Sequence, residues 1–545
     1  MKKKVFAALL ATAMTATLIA GCGTPGSGGS SDGGSSDGKV FRYSTSTEPT
    51  TLDPTKSNCI PDNEIQHALT ESLVRNTGGE VNPGVAESWE VSEDGLTYTF
   101  HLNPDAKWSD GEQITAQDFV YSWQRLMDPD TAAPYAFIGE YLKNGLAVEK
   151  GEMDPSQLGV VAQDDTTLVV TLERPTAYFL SMIGAQAQFA PLRQDIVEQY
   201  GSDFAADYEK NVYSGPYVLT KSSDNQWFFE PNENYWDADS IKLDRVELNY
   251  VQNPDTAVAM YEDGELDYVS LPTASISAYE GKDNTFLNGN VDYFYFNMNG
   301  SCPELANKNM RLALNYALNR NEYNQLVNSG YYNPSNGLVF SGLTGVNGTY
   351  GEESTLESYP LDGDDAKAKE YLNAALSELG YSDPSEVTLT LTTSDNESSK
   401  KQAEVCQEMW NSTLGINVEI EQITYNEVLT RQQEGEYEII WAGWGSDYDD
   451  PYSYLELFMS SSSYNYSGFK NDEYDALMTA TQTETDVAAR MEMMHQAEQI
   501  LIDEGAFLPQ AEREVHYLLD DDVKDLTFFY CSINIDWVHA DISAE

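Results

Sequence analysis

TLTLTTSDNESSKKQAEVCQEMWNSTLGINVEIEQITYNEVLTRQQEGEYEIIWA, residues 388–442, is the stretch whose reading decides the fold. Thr388-Leu389-Thr390-Leu391-Thr392 alternates with period two, as a strand does, and Asn417-Val418-Glu419-Ile420-Glu421-Gln422-Ile423 repeats that rhythm. Between them, residues 397–413 carry Ala403, Val405, Cys406, Met409 and Trp410 at helical spacing, which predicts a helix with one buried face. Residues 425–434 read as a second helix, and Glu438–Ala442 as a third strand running into a Gly-rich loop. A β-α-β-α-β order requires right-handed crossovers and a mainly parallel sheet. Such sheets bind ligands outside the carboxyl ends of their strands, so the loop after Trp441 is the first place to look for a site.

Outward from this core the pattern continues. Residues 364–379 predict a helix with Ala368, Leu372, Ala375, Leu376 and Leu379 inward and Gly380 at its C-cap. Residues 486–503 predict another, with Met491, Met494, Ala497, Glu498 and Leu501 on one face; these methionines read as core, not as a metal box. In the first third, Leu96–Leu102 alternates as a half-buried strand. Thr115 with Asp118 forms a capping box for a helix over 115–127, whose Phe119, Ser122, Trp123 and Leu126 share a face. No fixed-period repeat is present.

The 89 acidic residues against 30 basic ones leave a formal charge of −59, which argues against nucleic acid or an anionic lipid surface as a partner of the folded body. Cys59, Cys302, Cys406 and Cys531 are widely spaced, and their disulfide state stays open. The five histidines have no ligand-like spacing, so neither a metal nor another cofactor is expected. No G-x-S-x-G and no H-E-x-x-H occurs, and no enzyme is expected. The rival from that class is an extracellular glycosidase, which needs only two carboxyl groups across a cleft.

The N-terminus has its own logic. Lys2, Lys3 and Lys4 precede an uncharged apolar run from Val5 to Ala20, which fits a signal peptide of residues 1–21 and is too short for a mature transmembrane helix. Ile19-Ala20-Gly21-Cys22 resembles the bacterial lipobox, in which the cysteine is diacylated and becomes the new N-terminus. The Gly/Ser stretch that completes residues 22–38 predicts a slack tether with a root-mean-square reach of roughly 20–24 Å.

Several collinear stretches resemble the oligopeptide-binding proteins of ABC importers, the peptide/nickel group of extracellular solute-binding proteins. They are EPTTLDP (48–54), GVAESWEVSEDGLTYTFHL (84–102), DAKWSDGEQITAQDFVYSWQRLMDP (105–129), PYA (134–136), SGPYVLT (214–220), NPDTAVAMYEDGELD (253–267), NKNMRLALNYALNR (307–320) and AGWGSDYDDP (442–451). The resemblance implies an α/β, two-lobed periplasmic-binding-protein-like fold with an additional subdomain inserted in the first lobe. Lobe I would comprise 39–291 with the insertion at about 72–195, lobe II 292–511, and residues 512–545 would return to lobe I. It further implies hinge closure over an oligopeptide, a membrane permease as partner, and a lipid-anchored monomer. A cell without a periplasm needs such an anchor, so a Gram-positive type surface is expected.

The site residues follow from the same resemblance. Asp447 matches the aspartate that takes the peptide's ammonium group. Gly443 and Gly445, flanking Trp444, would let an extended peptide pair by main-chain hydrogen bonds. Asn58, Cys59 and Ile60 would supply a second run of backbone contacts, and Tyr135 would pack on the ligand. There are departures from the family pattern. Gly445 stands where many members carry a cysteine, and Trp441 where enteric members carry an arginine for a short peptide's carboxylate. The histidine used there for longer ligands is missing near Ser398 and Ser399. Arg431 is then the expected carboxylate partner, with Lys400 and Lys401 as weaker options, and dipeptides should bind poorly. Other solutes of this fold (oligosaccharides, nickel complexes, signalling peptides) are the alternatives within the class.

Overall fold

The computed structural model describes residues 38–543 apart from 78–79 and 224. The expected signal peptide, the lipidation site Cys22 and the Gly/Ser stretch up to residue 37 lie outside the described residues.

The deciding stretch folds as its periodicity predicts. Thr388–Ser394 and Asn417–Ile423 are parallel strands in register from Thr388/Asn417 to Ser394/Ile423. The helix between them, Glu397–Leu414, is capped by the Asn396 side chain, which accepts from Ser399 N at 2.8 Å, and stops at Gly415, whose φ is 74°. Its inner face buries Ala403, Cys406 and Trp410. The Trp410 indole also donates to Leu314 O at 3.0 Å, so its polar edge is not stranded. Truncating a Trp held in this way costs roughly 3–5 kcal/mol. Tyr425–Glu434 is the second helix, and Ile439–Trp444 is the third strand.

These strands end one side of an eleven-stranded sheet. Its order is Asn417–Ile423, Thr388–Ser394, Ile439–Trp444, Asn284–Phe296, Phe507–Leu519, Tyr268–Ser270, Val40–Thr45, Arg245–Tyr250, Gln226–Pro231 and Tyr217–Ser223, with Asn333–Pro334 paired to Phe507–Leu519 off this path. Two 13-residue antiparallel strands, Asn284–Phe296 and Phe507–Leu519, therefore join a half built from the middle of the chain to a half built from its two ends. The fold is two-lobed, and among the described residues no other strand is as long as these two. Their register slips between Leu287 and Val291, around Asn288-Gly289-Asn290, with Gly289 at φ 77°. A Cβ there would lie 2.1 Å from Tyr530 O, so only glycine fits the bulge.

The additional subdomain is a four-stranded antiparallel sheet, in the order Ala86–Val91, Thr97–Leu102, Thr167–Thr171, Val160–Asp164. The helix Ala116–Met127 covers it, with the predicted capping box formed by Thr115 and Asp118. Phe119, Trp123 and Leu126 are fully buried beneath that helix. The helices Asp365–Leu379, closed by Gly380 at φ 81°, and Val487–Asp503 also match their sequence patterns, and Met491 and Met494 are core residues. Among the described residues the four cysteines are free thiols, no helix is long and apolar enough to cross a membrane, and no trio of His, Cys, Asp or Glu is placed to hold a metal.

Candidate functional site

The strand Ile439–Trp444 has one closed edge and one open edge. On one side it pairs with Asn284–Phe296 along its whole length, from Phe296/Ile439 to Val291/Trp444. On the other it meets Thr388–Ser394 only at Leu391/Ile439 and Thr392/Ile440. From Trp441 onward that outer edge has no partner strand among the described residues. An unpaired strand edge is a template for another extended chain.

A cleft with about 700 Å³ of empty volume lies at this end of the strand. Gly443, Trp444, Gly445 and Asp447 line it from the end of this strand and the loop after it, Asn58, Cys59 and Ile60 from near the chain's first described strand, and Tyr135 from the segment after the helix Ala116–Met127. Eight of the residues expected from the sequence are thus brought together. The glycines sit in tight quarters: a Cβ on Gly443 would lie 3.0 Å from Asp292 Oδ1, and one on Gly445 3.0 Å from Asn290 Oδ1. Asn58–Ile60 lies just before and at the start of the helix Ile60–Leu69, with Cys59 in extended conformation at its N-cap.

Asp447 differs from its neighbours. Asp449 accepts hydrogen bonds from Thr344 N at 2.9 Å and Thr344 Oγ1 at 2.6 Å. Asp450 takes both arms of Arg490, at 2.5 and 2.9 Å, and caps Tyr452 N at 2.9 Å. Among the described residues the Asp447 carboxylate accepts no hydrogen bond and meets no cation within ion-pair distance. Only its backbone is tied: N–H donates to Ser453 Oγ at 3.1 Å, while the carbonyl accepts from Gln186 Nε2 at 2.6 Å and Ser532 Oγ at 3.3 Å. Burial pushes the unpaired carboxyl up to about 7. The Asp447 charge in turn raises the neighbouring Tyr135 phenol, with burial adding to the effect. One unneutralised carboxylate, on a fixed backbone, faces the cleft and has room for a cation.

Two expected residues stand outside the cleft lining. Arg431 donates to Glu421 at 2.8 Å and to Glu427 at 3.2 Å, so its guanidinium is already engaged on the outside of its helix. Trp441 is half-buried, its carbonyl accepts from Gln432 Nε2 at 2.7 Å, and its ring lies 5.9 Å from the Arg513 guanidinium. Glu421 of the strand Asn417–Ile423 and Glu427 of its own helix hold Arg431 beside, and not in, this cleft lining. Other lining residues escaped the sequence reading. Asn288 and Asn290 come from the bulge in Asn284–Phe296, and Tyr530, Ser532, Ile533 and Asn534 from the C-terminal segment, which a bridge between Ser446 and Cys531 draws in. The Asn-Gly-Asn run was the one visible signal, a turn cue inside a strand-forming segment.

A wall of rings closes one side. Tyr135 lies 5.0 Å from Phe137, Phe137 5.5 Å from Tyr464, and Tyr464 5.5 Å from Trp444. Phe137 and Tyr464 also line a larger cavity of about 1630 Å³, between the inserted subdomain and residues 452–482. Glu456 borders that cavity and accepts from Tyr448 at 3.0 Å; burial raises its carboxyl to about 8.

Residues 80–466 match the middle region of the bacterial extracellular solute-binding proteins, family 5. The chain is 31% identical over 493 residues to the dipeptide-binding protein DppE of Bacillus subtilis, covering 90% of this chain and 89% of that one. It is 32% identical to the oligopeptide-binding protein OppA of the same organism, over 85% of each chain. Among solved structures, Listeria monocytogenes OppA bound to peptide superposes with a TM-score of 0.75 at 29% identity, covering 94% of this chain and all of the other. The substrate-binding domain of a Bacillus anthracis oligopeptide ABC transporter gives 0.76 at 30% identity, covering 93% and 99%. An open strand edge and a glycine-flanked cleft between two lobes, with this breadth of likeness, define a solute-binding protein, and the chain belongs to family 5 of the bacterial extracellular solute-binding proteins.

Proposed function

We propose that this protein is the extracellular peptide-binding component of an ABC importer. It captures oligopeptides between its lobes through main-chain hydrogen bonds to Gly443–Gly445 and Asn58–Ile60, with Asp447 holding the peptide's ammonium group. The observation that carries this reading is the unpaired Asp447 carboxylate beside an open strand edge. A half-buried carboxylate with no partner is costly unless a cationic ligand completes it. The names of the similar proteins support a peptide as that ligand. Lobe I is taken as 39–291 with the insertion at about 72–195, lobe II as 292–511, and 512–545 as the return. Both cuts fall inside the two long strands that join the halves.

The test is calorimetric titration of a tetrapeptide against its N-acetylated form. Acetylation removes the cation and is expected to weaken binding by at least about thirtyfold, the effect of truncating one side of a buried charge pair. Equal affinity for the two would sink the amine-anchor role. In the same reading the mature chain is a monomer lipidated at Cys22 on a Gram-positive type cell surface, close to its permease. Cell fractionation checks this: Cys22→Ser is expected to move the protein from the membrane fraction into the medium, and retention in the membrane would exclude the acyl anchor.

A further inference from the structure

With Arg431 engaged elsewhere, the cleft needs another group for the carboxylate of a short peptide. The two 13-residue strands supply one beside the cleft lining, at its Gly443 end. Arg513 lies on Phe507–Leu519 and Asp292 on Asn284–Phe296, and the pair flanks Gly443, the register partner of Asp292. Arg513 grips Asp292 from one side only: Nε donates at 3.0 and 3.1 Å and Nη2 at 2.7 Å. Its Nη1 donates to no described residue, and the side chain keeps 33% of its exposure while Asp292 is buried. A guanidinium presents five donors in a fork, so the edge carrying Nη1 remains free for a second carboxylate. The group also lies above the Trp441 ring, and a Cβ at Gly443 would be 3.6 Å from Arg513 Nη2 and 3.6 Å from Trp441 Cζ2. Trp441 therefore stands as an apolar floor under a cation brought in from the hinge.

The spacing suits a short ligand. A peptide anchored at Asp447 and running antiparallel to Ile439–Trp444 passes Gly445, Trp444 and Gly443 in turn. At about 3.4 Å per residue, three to four residues bring its carboxylate to the Gly443 end, while a dipeptide stops short. We infer that Arg513 receives the C-terminal carboxylate of tri- and tetrapeptides through the edge of its guanidinium not used by Asp292. This rests on the peptide reading above and makes the hinge ion pair part of the binding site.

The experiment compares a tetrapeptide acid with its C-terminal amide in the full-length protein. The wild type is expected to bind the acid about tenfold or more tightly, as for a hydrogen-bonded charge. Removing Arg513 alone would strand Asp292, so the variant is Asp292→Asn with Arg513→Gln, which keeps the site neutral. In that variant acid and amide are expected to bind within about threefold of each other, while N-acetylation still weakens binding by at least about thirtyfold. Arg513→Lys, which keeps the charge but loses the fork, is expected to retain only part of the preference. A double variant that still discriminates acid from amide as the wild type does, or a wild type that never discriminates, overturns the inference and leaves the amine anchor standing. If neither peptide binds the wild type, the peptide reading fails and this inference with it.

Discussion

Asp447→Asn is expected to weaken binding of a free-amine peptide by about 2–5 kcal/mol, the range for truncating one member of a buried charge pair. Asparagine keeps the size and the loop, because the hydrogen bonds that fix residue 447 go through its backbone to Ser453, Gln186 and Ser532. What it removes is the charge that answers the ammonium. The pH dependence gives an independent reading with a defined sign. In the unliganded protein burial holds the Asp447 carboxyl at about 7. The bound ammonium favours the ionised form and lowers that value in the complex. Binding therefore releases a proton at and below neutral pH. Affinity falls by up to about tenfold per pH unit as pH drops through 7, and levels off below the lowered value in the complex. Above about 8 the peptide's own α-amine loses its proton, so affinity peaks between about 7 and 8. The asparagine variant loses the acid limb and keeps the alkaline one. Calorimetry from pH 5.5 to 9 in buffers of different ionisation enthalpy measures both affinity and proton release. Unchanged affinity in the variant, or an acid limb that survives the substitution, would exclude Asp447 as the anchor.

The parts of this molecule legible in the sequence are those fixed by local physics. The helix Glu397–Leu414 and its flanking strands follow from side-chain periodicity, an Asn cap and a Gly stop, all within 36 residues of chain from Thr388 to Ile423. The capping box at Thr115 is equally local. The two hinge strands were not legible, because Asn288-Gly289-Asn290 carries a turn signal that tertiary pairing converts into a bulge. Nor could the residues Tyr530–Asn534 be placed, since contacts far apart in sequence, among them the bridge from Cys531 to Ser446 and the bond from Ser532 to Asp447 O, bring them to the cleft. Arg431 is a local case: Glu427 stands four residues before it, a helical ion pair readable from spacing alone. The three aspartates of Asp447-Tyr448-Asp449-Asp450 could not be ranked by local pattern either. Their difference lies in partners far along the chain, Thr344 for Asp449 and Arg490 for Asp450.

That last partner yields the second large effect, on the frame that holds the anchor in place. Arg490, buried on the helix Val487–Asp503, donates to both Asp450 oxygens and to Thr481 O at 3.0 Å. Its guanidinium also lies 5.5 Å from the ring of Tyr178, which belongs to the inserted subdomain. Tyr178 stacks on Tyr448 at 4.6 Å with an interplanar angle of 4°, and on Tyr452 at 5.3 Å. One cation thus ties the loop bearing Asp447 to the helix Val487–Asp503 and lies over the Tyr178 ring that stacks on that loop. Arg490→Met is expected to lower stability by about 3–5 kcal/mol, because Asp450 is left buried, charged and unpaired. It is also expected to weaken peptide binding, since the loop that fixes the Asp447 backbone loses its tie. Adding Asp450→Asn to the same chain removes the stranded charge and should recover a substantial part of the stability. Peptide affinity should recover less, because the neutral pair restores neither the two-armed grip nor the cation over Tyr178. Urea denaturation of the two variants, alongside peptide titration, separates these outcomes. A single variant within about 1 kcal/mol of wild type, or a double variant less stable than the single, would show that the loop is held by the tyrosine stack and not by the ion pair.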